Sequence, residues 1–98
     1  MAFEEHLVED ARLVILKELA SQNDNRLSET MLGHVLQIFG HTRSREWVRA
    51  QLRKLEEMGA VKLTEVGTVV VADLAQAGLD HVERRAFLDF VRRPSLET

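Results

Sequence analysis

Cysteine is absent from the 98 residues, which removes disulfides and thiolate metal ligation together. The fold must rest on packing alone, and a reducing compartment, the cytoplasm, is the expected address. No apolar run approaches the roughly 20 residues of a membrane-spanning helix. The start Met1-Ala2-Phe3-Glu4-Glu5-His6 has neither the basic nor the apolar part of a secretory signal. Glycine-rich phosphate loops and nucleophile elbows are missing. No carboxylates pair in an apolar setting, and Asp73, Asp80 and Asp89 fall at no catalytic spacing. His6, His34, His41 and His81 lack metal-ligand spacing. The expectation is a chain without catalytic residues, metal, other cofactor or small-molecule ligand, and without a membrane partner.

A basic excess is also missing. The formal net charge is −3, although it is unevenly spread. Residues 1–40 hold three basic and seven acidic side chains, residues 41–62 six and three, and residues 63–98 four and six. Nucleic-acid binders usually show a stronger excess than this, so only a local patch is indicated.

What is present is a single domain over residues 1–98, with 45% hydrophobic residues to build one core. Phe3, Leu7, Ala11, Val14, Ile15 and Leu19 recur at helical spacing. After the polar loop 21–26, Ser28 reads as the N-cap of a second helix, with Leu27 and Leu32 placed for a hydrophobic staple. Its buried stripe is Leu32, Val35, Leu36 and Phe39, and Gly40 ends it. Ser44 caps a third helix, with Thr42 as the alternative. Trp47, Val48, Leu52, Leu55 and Met58 line one side, and Gly59 stops it. Two β-prone runs, 60–64 and 68–72, are joined around Gly67 as a tight hairpin. A fourth helix over 73–85 follows, its Gly78 suited to a close neighbour. The segment 86–98, with Phe87, Leu88, Phe90 and Val91, is too apolar to be idle and is expected to pack on the domain or on a partner. The order predicts an α+β, mainly helical fold: a winged helix-turn-helix of three helices and a β-hairpin wing, with an additional C-terminal helix.

On the third helix Arg45, Arg49 and Arg53 advance by roughly 40° per step and so form a strip beside the apolar side. Like charges four apart cost about 0.2–0.5 kcal/mol per pair. Arg43 and Arg45 also sit at the positive end of the helix dipole. Phosphate would reverse both penalties, since arginine binds it bidentately and also reads guanine. Arg43, Ser44, Arg45, Glu46, Arg49 and Arg53 are thus the candidate DNA-binding residues, with His41 at the approach to the strip. The rival reading is a solvated face in which Glu46 pairs with Arg49 and Glu56 or Glu57 with Arg53. The hairpin tip Thr64-Glu65-Val66-Gly67-Thr68 carries an acid and no cation, which weighs against a second contact with DNA. Trp47 belongs to the core rather than to a base stack.

These residues resemble a family. Ser44-Arg45-Glu46-Trp47-Val48, then Gln51-Leu52, Leu55 and Glu57-Met58-Gly59, then Ala72 to Asp80 and Arg93-Pro94-Ser95, are similar to small winged-helix (ArsR-like) proteins of Mu-like phages and prophages. The similarity runs from about Arg12 onward. It implies a phage or prophage origin and a transcriptional-regulator role. The metal response of ArsR-like sensors does not carry over, because their cysteines are absent here. The expected partners are double-stranded DNA and a second copy of the chain, the latter through the first helix and residues 87–91. The alternative is a non-enzymatic protein–protein interaction module of a prophage, for example in assembly or packaging.

Overall fold

A computed structural model describes residues 2–96. Helix α1 (Ala2–Ser21) is followed by a short strand β1 (Arg26–Ser28), helices α2 (Glu29–Ile38) and α3 (Arg45–Glu57), strands β2 (Val61–Val66) and β3 (Val69–Leu74), and helix α4 (Gln76–Val82). The strands form an antiparallel sheet in the order β1-β3-β2. The fold is α+β.

Local chemistry sets the helix ends. The Ser28 hydroxyl accepts from Met31 N–H at 3.2 Å and the Ser44 hydroxyl from Trp47 N–H at 3.1 Å, each satisfying a donor the helix leaves open. Gly40 and Gly59 take φ of +92° and +76° just past α2 and α3, a region that costs glycine least. Gly67, at φ +63°, opens the two-residue loop between the paired Val66 and Val69.

The core gathers Ile15, Leu16 and Leu19 of α1, Leu32 and Leu36 of α2, Val48, Leu52 and Leu55 of α3, and Val61, Val70 and Ala72 of the sheet. Each fully buried leucine contributes about 2 kcal/mol. Trp47 and Met58 pack on this core from its edge, part-buried. Two stripe positions depart from expectation. Phe39 is 61% exposed, because α2 ends at Ile38 and the chain turns away at Gly40, and Phe3 lies exposed near the start of α1. Conversely, Leu13 and Leu16 are buried, since α1 is covered on a further side by the C-terminal segment.

That segment is held by several contacts. Arg92 N–H donates to the Glu9 carbonyl at 3.2 Å, and Arg12 Nη1 donates to the Phe90 carbonyl at 2.8 Å. Arg84 Nη1 donates to the Pro94 carbonyl, and Val91 and Pro94 are buried. His81, wholly buried, supplies the rest: its Nδ1 accepts from Leu88 N–H at 2.9 Å while Nε2 donates to the Arg92 carbonyl at 2.8 Å. With Leu88 N–H pointing at Nδ1, the ring's Nε2 is the donor to the Arg92 carbonyl. Replacing His81 by phenylalanine leaves one N–H and one carbonyl unpaired, a loss of about 2 kcal/mol. Hydrogen exchange should show Leu88 N–H losing protection while the α3 amides change least; uniform loss would contradict this account.

Two boundaries in particular differ from the sequence reading. Strand β1 lies where a loop and a cap were expected. It is built by pairing with β3 and by the cross-strand ion pair of Arg26 Nε and Nη2 with Asp73 at 2.9 and 3.2 Å. Helix α4 begins at Gln76 rather than residue 73, because Asp73 and Leu74 complete β3. On the other side of the sheet the Leu63 N–H donates to a Glu56 carboxylate oxygen at 3.1 Å.

Candidate functional site

The arginine strip begins at the N-terminus of α3, and the fold brings to it a residue that spacing did not reveal. Glu29, the first residue of α2, points back under the hairpin with its side chain 0% exposed. Arg49 grips it bidentately, Nε to Oε1 at 2.9 Å and Nη2 to Oε2 at 2.6 Å. Arg45 Nη2 reaches Oε2 at 3.2 Å, and Val70 N–H donates to the same oxygen at 2.8 Å. Both guanidinium groups also donate from Nη2 to the Thr68 carbonyl in the hairpin turn, at 2.6 Å from Arg45 and 3.0 Å from Arg49. One carboxylate thus joins α2, α3 and β3. The Arg49 hydrogen bonds are the largest cause holding its carboxyl at about 2, against the upward push of burial, with Val70 N–H and Arg45 adding to them.

The other strip members are also paired. Arg43 donates to Glu4 at 3.2 Å and lies over the Trp47 ring at 4.6 Å, while Arg53 faces Glu65 of the hairpin at 4.0 Å. Four arginines therefore meet three carboxylates, Glu4, Glu29 and Glu65. They are not sealed off: Arg45 is 52% and Arg49 30% exposed. Among the described residues Nη1 of both, and Nε of Arg45, have no acceptor. These donors border a shallow concavity lined by Arg45, Glu46, Arg49 and Thr68. The Ser44 hydroxyl serves the cap, and Glu46 is exposed on the rim rather than hydrogen-bonded to Arg49. The ion pairs expected within α3 are replaced by longer-range ones, apart from Lys54 with Glu57 at 3.9 Å.

His41 corrects an expectation. It does not meet the approach to the strip but is only 5% exposed, with Nε2 2.8 Å from Asp10 Oδ2. Arg92 Nη1 donates to the other Asp10 oxygen at 2.6 Å. Burial pushes the Asp10 carboxyl up, yet the hydrogen bonds from His41 and Arg92 outweigh it and leave it below the ordinary value. Among the described residues no cluster of three or more potential metal ligands occurs, and no helix is long and apolar enough to cross a membrane.

No protein-family model and no solved structure matches the chain. It is 39% identical over 88 residues to a protein of Escherichia phage Mu described as "Uncharacterized protein gp26", covering 90% of this chain and 91% of that one. The chain belongs to the phage Mu gp26 family. A second relative, an uncharacterized protein of Haemophilus influenzae, is 34% identical over 80 residues, covering 81% of this chain and 78% of that protein. The Mu-like phage relationship inferred from the α3 and C-terminal motifs is thus supported.

In this gp26-family chain Glu29 is the site residue that sequence reasoning passed over. It stands 16 and 20 positions from Arg45 and Arg49, so no local periodicity joins them. The available signal was weak: an acid directly after the Ser28 cap suits the helix dipole and needs no other explanation.

Proposed function

We propose that the chain is a winged-helix DNA-binding protein, a phage-derived transcriptional regulator or accessory factor, with α3 as recognition helix and the β2–β3 hairpin as wing. The observation that supports this most is the clamp on Arg45 and Arg49. Glu29 and the Thr68 carbonyl hold both guanidinium groups, leaving their Nη1 donors without an acceptor among the described residues, beside the N-terminus of a capped helix. Such pre-oriented donors suit phosphate oxygens or a guanine edge. Arg43, Ser44 and Arg53 flank them, and Glu46 at the rim suits a cytosine amino group.

Because the carboxylates cancel most of the strip, electrostatic attraction is modest. Two or so phosphate contacts give a log Kd against log salt slope of about 2 in magnitude. Arg45→Gln and Arg53→Gln should each lower it by about 1. Arg49 still neutralises Glu29 in both variants, so both remain folded. Binding to short duplexes by fluorescence anisotropy at several salt concentrations measures this. Absent binding, or slopes unmoved by both substitutions, would overturn the reading.

A second reading, a protein–protein interaction module of the phage particle's assembly or packaging, is favoured by one observation. Ile38 and Phe39 are 80% and 61% exposed at the end of α2, away from the α3 strip. Indifference to duplex DNA with retained binding at that end would select it.

A further inference from the structure

Five cations, Arg12, Lys17, Lys62, Arg84 and Arg93, have no carboxylate partner among the described residues, and of these Lys17 and Arg93 share one groove. Every arginine of the strip, by contrast, has a carboxylate partner. Arg93 lies on the Phe87 ring at 4.3 Å, with Arg84 on the same ring at 5.3 Å. Lys17 and Arg93 border a groove of about 430 Å³ between the C-terminal half of α1, the end of α2 and residues 92–95. Its floor is Leu13, Val14 and the exposed Phe39.

Two acids also line the groove, against three cations, Lys17, Arg92 and Arg93, so its charge is net positive. Asp10 is held by His41 and Arg92, and Glu18 accepts from Gln22 Nε2 at 3.0 Å. In a chain with 16 acidic and 13 basic side chains, unpaired cations beside an apolar floor are left for an outside acid. Ile38, next to Phe39 in the chain, and Leu96, next to Ser95, are exposed apolar side chains as well.

We propose that this groove docks an acidic, amphipathic segment of a partner protein, its apolar face on Leu13, Val14 and Phe39 and its carboxylates on Lys17 and Arg93. A groove of this shape suits an inserted amphipathic helix better than a flat bilayer. The groove gives the protein-interaction reading a surface, and it stands whether or not α3 binds DNA.

Selection of a displayed random-peptide library on the full chain tests this. The enriched peptides should combine Asp or Glu with Leu, Ile or Phe. The charge reversals Lys17→Glu and Arg93→Glu, both on exposed side chains, should together weaken the best peptide at least tenfold by fluorescence anisotropy. Arg45→Gln should leave that affinity unchanged, which separates this surface from the DNA-binding one. The proposal is overturned by an empty selection, by peptides without acidic enrichment, or by affinity indifferent to the double reversal. It is equally overturned if the double reversal instead abolishes self-association in sedimentation equilibrium, or binding to anionic phosphatidylserine vesicles, because a second copy or a membrane is then the occupant.

Discussion

Glu29→Gln lowers folding stability at pH 7 by about 2–4 kcal/mol, the scale of lost charge-assisted hydrogen bonds and of a buried ion pair broken on one side. The buried carboxylate serves Arg45, Arg49 and Val70 N–H together. An amide in its place keeps one acceptor oxygen and turns an NH₂ toward a guanidinium. The arginines are partly exposed and rehydrate, which keeps the loss below that of a fully buried pair. The pH dependence is more diagnostic. The Glu29 carboxyl lies near 4.5 when unfolded and about 2 when folded. Its contribution is therefore fully present above pH 4.5 and is lost as pH falls toward 2. Urea unfolding of the two proteins at several values across that window should show the difference between them shrinking with acidity. Asp10 and Asp80, also held low, act alike in both and cancel. A difference constant with pH would overturn the assignment.

Gly78→Ala destabilises by about 2 kcal/mol, the sign opposite to helix propensity, which favours alanine by up to ~1 kcal/mol. A Cβ at Gly78 would lie 2.4 Å from the Ala60 carbonyl oxygen and 2.7 Å from Leu74 Cδ1. The leucine can rotate, but the carbonyl cannot retreat, because it belongs to the turn that leads α3 into β2 and accepts Ala75 N–H at 2.9 Å. Helix α4 must move instead. Gly33→Ala in α2 is the control. Nothing lies within 4 Å of its Cβ position, so propensity acts alone and stability rises by up to ~1 kcal/mol. Thermal unfolding of both variants reads the contrast. Equal signs would mean that packing at Gly78 does not govern how α4 approaches the turn between α3 and β2.

These residues also mark how much the sequence discloses. Signals confined to a few neighbours are legible: the Ser28 and Ser44 caps, the stops at Gly40 and Gly59, the hairpin at Gly67 and the need for a close neighbour at Gly78. Interactions that the topology assembles are not. Strand β1 is three residues with no periodicity of its own and exists through Val71 to Asp73 across the sheet. Glu29 meets Arg45 and Arg49 because α2 crosses α3, which residue spacing cannot report. His41 looked exposed as part of a turn, yet Asp10 of α1 draws it inward. The charge of the strip as a surface is set by counter-ions from α1, α2 and the hairpin, Glu4, Glu29 and Glu65, which spacing within α3 cannot report.

The flanks of the sheet bear on how copies of this chain meet one another at high concentration. One flank is the three-residue β1, its Arg26 spent on Asp73. On the other, Glu56 already occupies the Leu63 N–H of β2, and Lys62 projects into solvent. The first flank is short and the second has one edge donor already taken, so each is a poorer template for strand-on-strand stacking than a fully open edge.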